Sequence, residues 1–152
     1  MTAPHVTACQ IRWLDLDAYR HVNNTVYLRY LEQARIEMVG FLAGLAQGPP
    51  RSADFEQTDG FVIAELEIVY RRPLVFRPEP VQVQSWVTHL GRTSWSMRHR
   101  IVDPGPDDPL EYATATARMV AIDRVSTRPR PLRDYERGFL TEFLEPAGVG
   151  SG

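Results

Sequence analysis

The densest run of reactive side chains lies between Asp15 and Tyr27, where two aspartates, a histidine, two asparagines and Tyr27 fall within thirteen residues. The stretch LDLDAYRHVNN is too polar, and too rich in Asp and Asn, to continue a strand or fill a helix interior, so it reads as a loop. A helical pattern begins at Asn24, which sets Asp17 and His21 just ahead of a helix N-terminus. Unpaired backbone amides and the helix dipole favour negative charge there. Negative charge is what an attacked carbonyl oxygen acquires.

Each residue also has a structural reading. Asp15 reads as a turn-capping residue, and either Asn23 or Asn24 can cap the free amides of the helix. Tyr27 falls on the apolar stripe of that helix and reads as core, at most a substrate contact. For His21, a satisfied loop histidine and a site residue both stay open.

The elements that must position this loop follow from periodicity. A first strand is expected over Val6 to Trp13. From Asn24 onward, Tyr27, Tyr30, Leu31, Ala34, Met38, Phe41, Leu42 and Leu45 recur at spacings of three and four, which predicts one long amphipathic helix ending near Gly44 and Gly48. Some twenty residues at about 1.5 Å each would span the width of a small domain. Gln47 to Gly60 reads as a loop or broken turn.

From Phe61 the period becomes two. Val62, Ala64, Leu66, Ile68 and Tyr70 give one apolar face, with Glu65 and Glu67 on the other as solvent-facing or dimer-edge residues. Strands over Val81–Leu90, Thr93–Val102 and Leu110–Ile122, divided by Gly91-Arg92 and by DPGPDDP, imply antiparallel hairpins. A short terminal helix using Tyr135, Phe139 and Phe143 follows a proline-punctuated linker. The expected class is α+β, an antiparallel sheet wrapped around one long helix, as a single domain over residues 1–145 with a loose tail over 146–152. Such a sheet has two edges, and pairing one with a second copy predicts a homodimer or homotetramer.

Composition narrows the classes. With 152 residues, 43% of them hydrophobic, the chain can bury one sizeable core. A net charge of -2 offers no drive toward nucleic acid or anionic membrane. All 17 basic residues are arginine, so any phosphate site must use guanidinium forks or backbone amides. The lone Cys9 reads as a small core residue in a reducing compartment. No basic start precedes an apolar run, and no segment approaches about 18 apolar residues, so a cytoplasmic location is expected. His5, His21, His89 and His99 lack metal-ligand spacing, and no phosphate-binding glycine loop is present, so no metal and no separate cofactor is expected.

The string WLDLDAYRHVNNTVYLRYLEQAR resembles the signature of the 4-hydroxybenzoyl-CoA thioesterase branch of hot-dog proteins, and its LDLDxxxHVNNxxY portion is also similar to acyl-ACP thioesterases of plants. Weaker likeness continues through VIAELEIVYRRPL and LGRTSWSMRHRI, covering roughly residues 6 to 123. The resemblance implies a hot-dog fold, an acyl-CoA substrate with CoA as its only cofactor-like part, and a catalytic carboxylate at Asp17. It implies that the amide of Asn24 polarises the thioester carbonyl, that His21 belongs to the site, and that the turn at Arg92, Thr93 and Ser94 contacts CoA. Tyr19 stands where the plant enzymes carry asparagine. Arg71, Arg72 and Arg77 are further basic candidates for CoA.

That chemistry is sound for these residue types. A thioester needs a carboxylate to attack or to activate water, and donors aimed at the developing oxyanion. An imidazole of ordinary pKa, about 6.5, could orient the water or protonate the departing thiolate. Alternatives are an acyl-ACP thioesterase and an acyl-CoA-binding hot-dog protein without turnover. A hot-dog hydratase is disfavoured, because DAYRHVNN does not match DxNPxH.

Overall fold

The computed structural model describes residues 2–47, 59–105 and 109–146, of which 41–47 by backbone alone. The expected segment between the long helix and the second strand falls almost wholly outside these residues, as do Gly48 and most of the expected tail.

The chain runs β1 (His5–Cys9), a 3-10 turn (Trp13–Asp15), α1 (Asn24–Gln47), β2 (Asp59–Tyr70), β3 (Val81–Leu90), β4 (Ser94–Val102), β5 (Glu111–Asp123) and α2 (Asp134–Thr141). The five strands form one antiparallel sheet in the order β1-β3-β4-β5-β2. Helix α1 lies over β1 and β3, the hot-dog arrangement expected.

The first strand is shorter than expected and stops at Cys9. Beyond it the Arg12 N–H is taken by the Asp15 carboxylate at 2.8 Å and the Asp15 N–H by the Arg12 carbonyl at 2.9 Å. This closed local turn outcompetes the ladder, and Trp13 is turned into solvent. At its far end α1 runs past Gly44 to Gln47, the residue before Gly48, the second of the two glycines expected to end it.

The apolar stripe of α1 is buried as its spacing requires: Tyr27, Tyr30, Leu31, Ala34 and Met38 are all buried. Tyr27 to Ala34 pack on Val81, Val83, Ile101 and Ala115, whereas Met38 joins a second cluster with Val87, Trp95, Met97, Met119 and Leu140. Each large side chain so buried is worth about 1.5–3 kcal/mol. Between the two apolar clusters runs a polar layer, Ser85 on β3 opposite His99 on β4, both without exposed surface.

Strand β2 departs from the expected alternation. Its pairing with β5 slips between Ile63 and Glu65, so Ala64 is an extra residue in a β-bulge. Ahead of the bulge Phe61 packs edge-on against Trp95 at 5.1 Å, and Val62 is exposed. After it Leu66 and Ile68 pack on the core. The apolar face is therefore Phe61 and Ile63, then Leu66, Ile68 and Tyr70, and Val62 does not share it.

Helix α2 is pinned by a buried ion pair. Glu136 receives two hydrogen bonds from the Arg130 guanidinium, at 2.8 and 2.9 Å, and a third from the Arg133 N–H at 2.8 Å. Arg130 also meets Asp59 of β2 at 3.3 Å.

Candidate functional site

The loop ahead of α1 is held from behind by a buried carboxylate. Asp15, 2% exposed, accepts the Arg12 N–H and, at 2.9 Å, the Tyr30 hydroxyl, and pairs with the Arg12 guanidinium at 3.1 Å. Its carbonyl takes the Asn23 N–H at 2.8 Å. Burial pushes the Asp15 carboxyl up, but these hydrogen bonds outweigh it and hold the group below its ordinary pKa. Asp15 is structural, as its setting suggested.

Two residues on, Asp17 opens a tight turn. Its N–H donates to the His21 carbonyl at 2.8 Å and its carbonyl accepts the Arg20 N–H at 3.0 Å, with Arg20 in the left-handed region at φ 62°. Its Oδ1 accepts the N–H groups of Tyr19 at 2.8 Å and His21 at 3.3 Å. Oδ2 makes no hydrogen bond to the described residues. One oxygen fixes the carboxylate to the backbone, and the other is unspent.

The chain then returns along the strand end. His21 bridges Val75, and the Val22 N–H donates to the Leu74 carbonyl at 2.7 Å. The His21 imidazole makes no hydrogen bond to the described residues. Asn23 caps α1, its Oδ1 accepting the Thr25 N–H and hydroxyl, each at 2.9 Å. The Asn24 N–H, first in the helix, has no acceptor among the described residues, as expected of an N-terminal amide.

Asp17, His21, Asn24 and Tyr27 line one cavity of about 400 Å³, together with Tyr70 and Arg72. Tyr27 is buried, its hydroxyl donating to the Arg72 carbonyl at 3.2 Å and its ring edge-on to Tyr70 at 5.1 Å. Burial raises its pKa, so it stays a neutral wall of the cavity. The Tyr70 hydroxyl donates to the Asn24 carbonyl at 2.8 Å, tying β2 to the first turn of α1. Tyr70 is the site residue that sequence reasoning passed over as a strand residue. Arg71 and Arg72, two of the basic candidates, flank the cavity.

The turn of Arg92, Thr93 and Ser94 stands elsewhere. It joins the far ends of β3 and β4, with the Arg92 carbonyl accepting the Leu132 N–H at 2.9 Å and the Gly91 carbonyl accepting from Arg137 of α2 at 2.8 Å. The ten residues of β3 separate it from the Asp17 end by about 30 Å. Within one chain the two are not brought together.

Among the described residues no group of three or more His, Cys, Asp or Glu could hold a metal ion, and no helix is long and apolar enough to cross a membrane. A carboxylate with a free oxygen, an unpaired helix-terminal amide and flanking guanidiniums can together activate a nucleophile, receive an oxyanion and hold an anionic substrate.

Comparison with known proteins follows the same line. The model of the thioesterase-like superfamily matches residues 11–139. Long-chain acyl-CoA thioesterase FadM of Escherichia coli (strain K12) is 36% identical over 69 residues, 45% of this chain and 48% of that protein, so the match spans about half of that relative. A thioesterase of Thermus thermophilus, crystallised with coenzyme A and zinc, shares 29% identity over 93% of this chain and 95% of its own, with a TM-score of 0.72. A Pseudomonas aeruginosa protein aligns over 96% of this chain and 95% of its own with a TM-score of 0.80; at 22% identity it speaks for the fold.

Proposed function

Since the chain belongs to the thioesterase-like superfamily, we propose that it hydrolyses acyl-CoA thioesters to a free acid and CoA. The observation that carries this reading is the Asp17 carboxylate, anchored through Oδ1 and free at Oδ2, in one cavity with the unpaired Asn24 amide. The substrate carbonyl oxygen lies on the Asn24 N–H, where the helix dipole adds to the hydrogen bond; such a donor contributes about 2.7–4 kcal/mol to the transition state. Asp17 attacks the carbonyl carbon, forming a mixed anhydride that water then opens, or it deprotonates the attacking water. In both routes the C–S bond breaks and the thiolate takes a proton, from His21 or from solvent. CoA is part of the substrate, and these steps call for no metal or other cofactor.

Two features support CoA as the carrier. Arg71 and Arg72 flank the cavity, and the FadM relative bears the name of an acyl-CoA thioesterase. The Arg92–Ser94 turn can serve the same site only from a second copy. Strand β2 offers an open sheet edge with Val62, Ile63, Val69 and Tyr70 all part-exposed, which supports a homodimer or a tetramer built from it. A cytoplasmic setting agrees with the single reduced, buried Cys9.

The same exposed arginines, with Arg20 on the neighbouring turn, suit the acidic surface of an acyl carrier protein, which is the second reading. Release of free thiol from a panel of acyl-CoAs and acyl carrier proteins, native chain against Asp17→Asn, tests both. The asparagine keeps an Oδ1 acceptor for the turn while removing the charge. Turnover on CoA esters that falls about a hundredfold or more in the folded variant is the expected result. Turnover confined to carrier-protein esters favours the second reading. Ligand binding without hydrolysis of either leaves a binding protein, and unchanged turnover in the variant sinks the mechanism.

A further inference from the structure

Arg35 of α1 makes no ion pair and no hydrogen bond among the described residues, and its Nη1 is out of contact with solvent. Glu32 lies one turn earlier on the same cavity wall, exposed, and does not pair with it. Burial lowers the pKa of Arg35 but leaves it a cation.

His99 stands close enough to feel that charge: burial first, then Arg35 and Arg98, push its pKa down to about 3, so its ring is neutral. Its Nδ1 is 2.8 Å from the Ser85 hydroxyl, which has no other acceptor. Which of the two donates is set by the tautomer of the neutral ring. The Nε2 atom is buried and without a hydrogen-bond partner among the described residues. A buried donor left unmade costs about 1–3 kcal/mol, more when charged.

Arg35 lines a second cavity of about 610 Å³, otherwise walled largely by Ile36, Val39, Phe61, Ile63 and Met119. Asn24, Leu28, Arg35 and Val39 recur at spacings of four, seven and four, one flank of α1. Leu28 is part-buried, as are Leu66 and Ile68 of β2. The flank thus runs from the Asn24 amide to Arg35 over eleven residues, about 16 Å.

Resting on the thioesterase reading, we propose that the acyl group lies along this flank and ends in a carboxylate held by Arg35, making ω-carboxyacyl thioesters the substrate class. A carboxylate accepts from the buried Nη1 and gives Arg35 a direct ion-pair partner, where Glu32 acts on it only at a distance; a methyl end supplies neither.

The test has two arms. In the first, kcat/KM is measured for adipoyl-, sebacoyl- and dodecanedioyl-CoA against hexanoyl-, decanoyl- and dodecanoyl-CoA, in the native chain and in Arg35→Met. A native preference for the longer carboxylated esters that falls about tenfold or more in the variant is expected. In the second, free sebacate and decanoate are compared for thermal stabilisation of the native chain and of Arg35→Met, a readout independent of turnover. Stabilisation by sebacate alone, lost in the variant, supports the inference even if no ester is hydrolysed and the thioesterase reading fails. Hydrolysis of methyl-ended and carboxylated chains at equal rates, with no sebacate effect, overturns it and leaves the Arg35 donor to internal water.

Discussion

Replacing Tyr30 by phenylalanine removes one hydroxyl and nothing else from the wall behind the Asp17 loop. That hydroxyl donates to Asp15 Oδ2 at 2.9 Å, and the carboxylate is 2% exposed, so water cannot stand in for it. A hydrogen bond to a buried charge is worth about 1.5–3 kcal/mol. The Arg12 guanidinium, itself largely exposed, compensates little. Tyr30→Phe is therefore expected to lower stability at neutral pH by about 2 kcal/mol, read as a fall in the urea midpoint at unchanged slope.

The pH dependence carries the sharper test. A carboxyl held below its unfolded pKa of about 3.9 stabilises the fold above that value and loses the contribution as pH falls through the folded value. Without the Tyr30 bond, burial acts with less opposition, the folded pKa rises, and the acid limb of the stability curve moves to higher pH. In an Asp15→Asn background the Tyr30→Phe loss should shrink, since the charge that made the bond strong is gone. Equal losses at every pH and in both backgrounds would refute the assignment and reduce Tyr30 to a packing residue.

Other outcomes follow from the same structure. Glu136→Gln leaves the buried Arg130 cation short of its main counter-charge and should cost about 3 kcal/mol, measured by denaturation, with α2 the first segment to lose amide protection. Cys9 is buried, and burial first, with Glu37 adding, pushes its thiol up to about 11. It should resist a thiol-reactive disulfide reagent near neutral pH while the protein is folded and react fully in urea; fast labelling of the native chain would contradict this placement.

Much of this molecule is legible in its sequence, for identifiable reasons. The stripe from Tyr27 to Met38 has the helical period and little competition, so α1 and its buried face follow from spacing. Strands β3, β4 and β5 are flanked by turn-forming residues and fall within a residue or so of expectation. The clustering of Asp17, His21, Asn24 and Tyr27 around one cavity is legible because the four are close in sequence. Three features are hidden. The early end of β1 depends on Asp15 reaching back to Arg12, a local competition that alternation cannot register. Tyr70 reaches the Asn24 carbonyl from forty-six residues away. Nothing in the residue types around Ala64 announces the slip of register there.

That slip matters to anyone who would redesign the chain. The bulge divides β2 into two segments in opposite phase, the first facing the Arg35 cavity through Phe61 and Ile63, the second approaching the reaction end through Tyr70. A mutant library laid out by simple alternation would diversify the solvent side of one segment while believing it had sampled the interior of both. Libraries drawn from positions 61 and 63, and separately from 66, 68 and 70, would each follow the inward phase of its own segment.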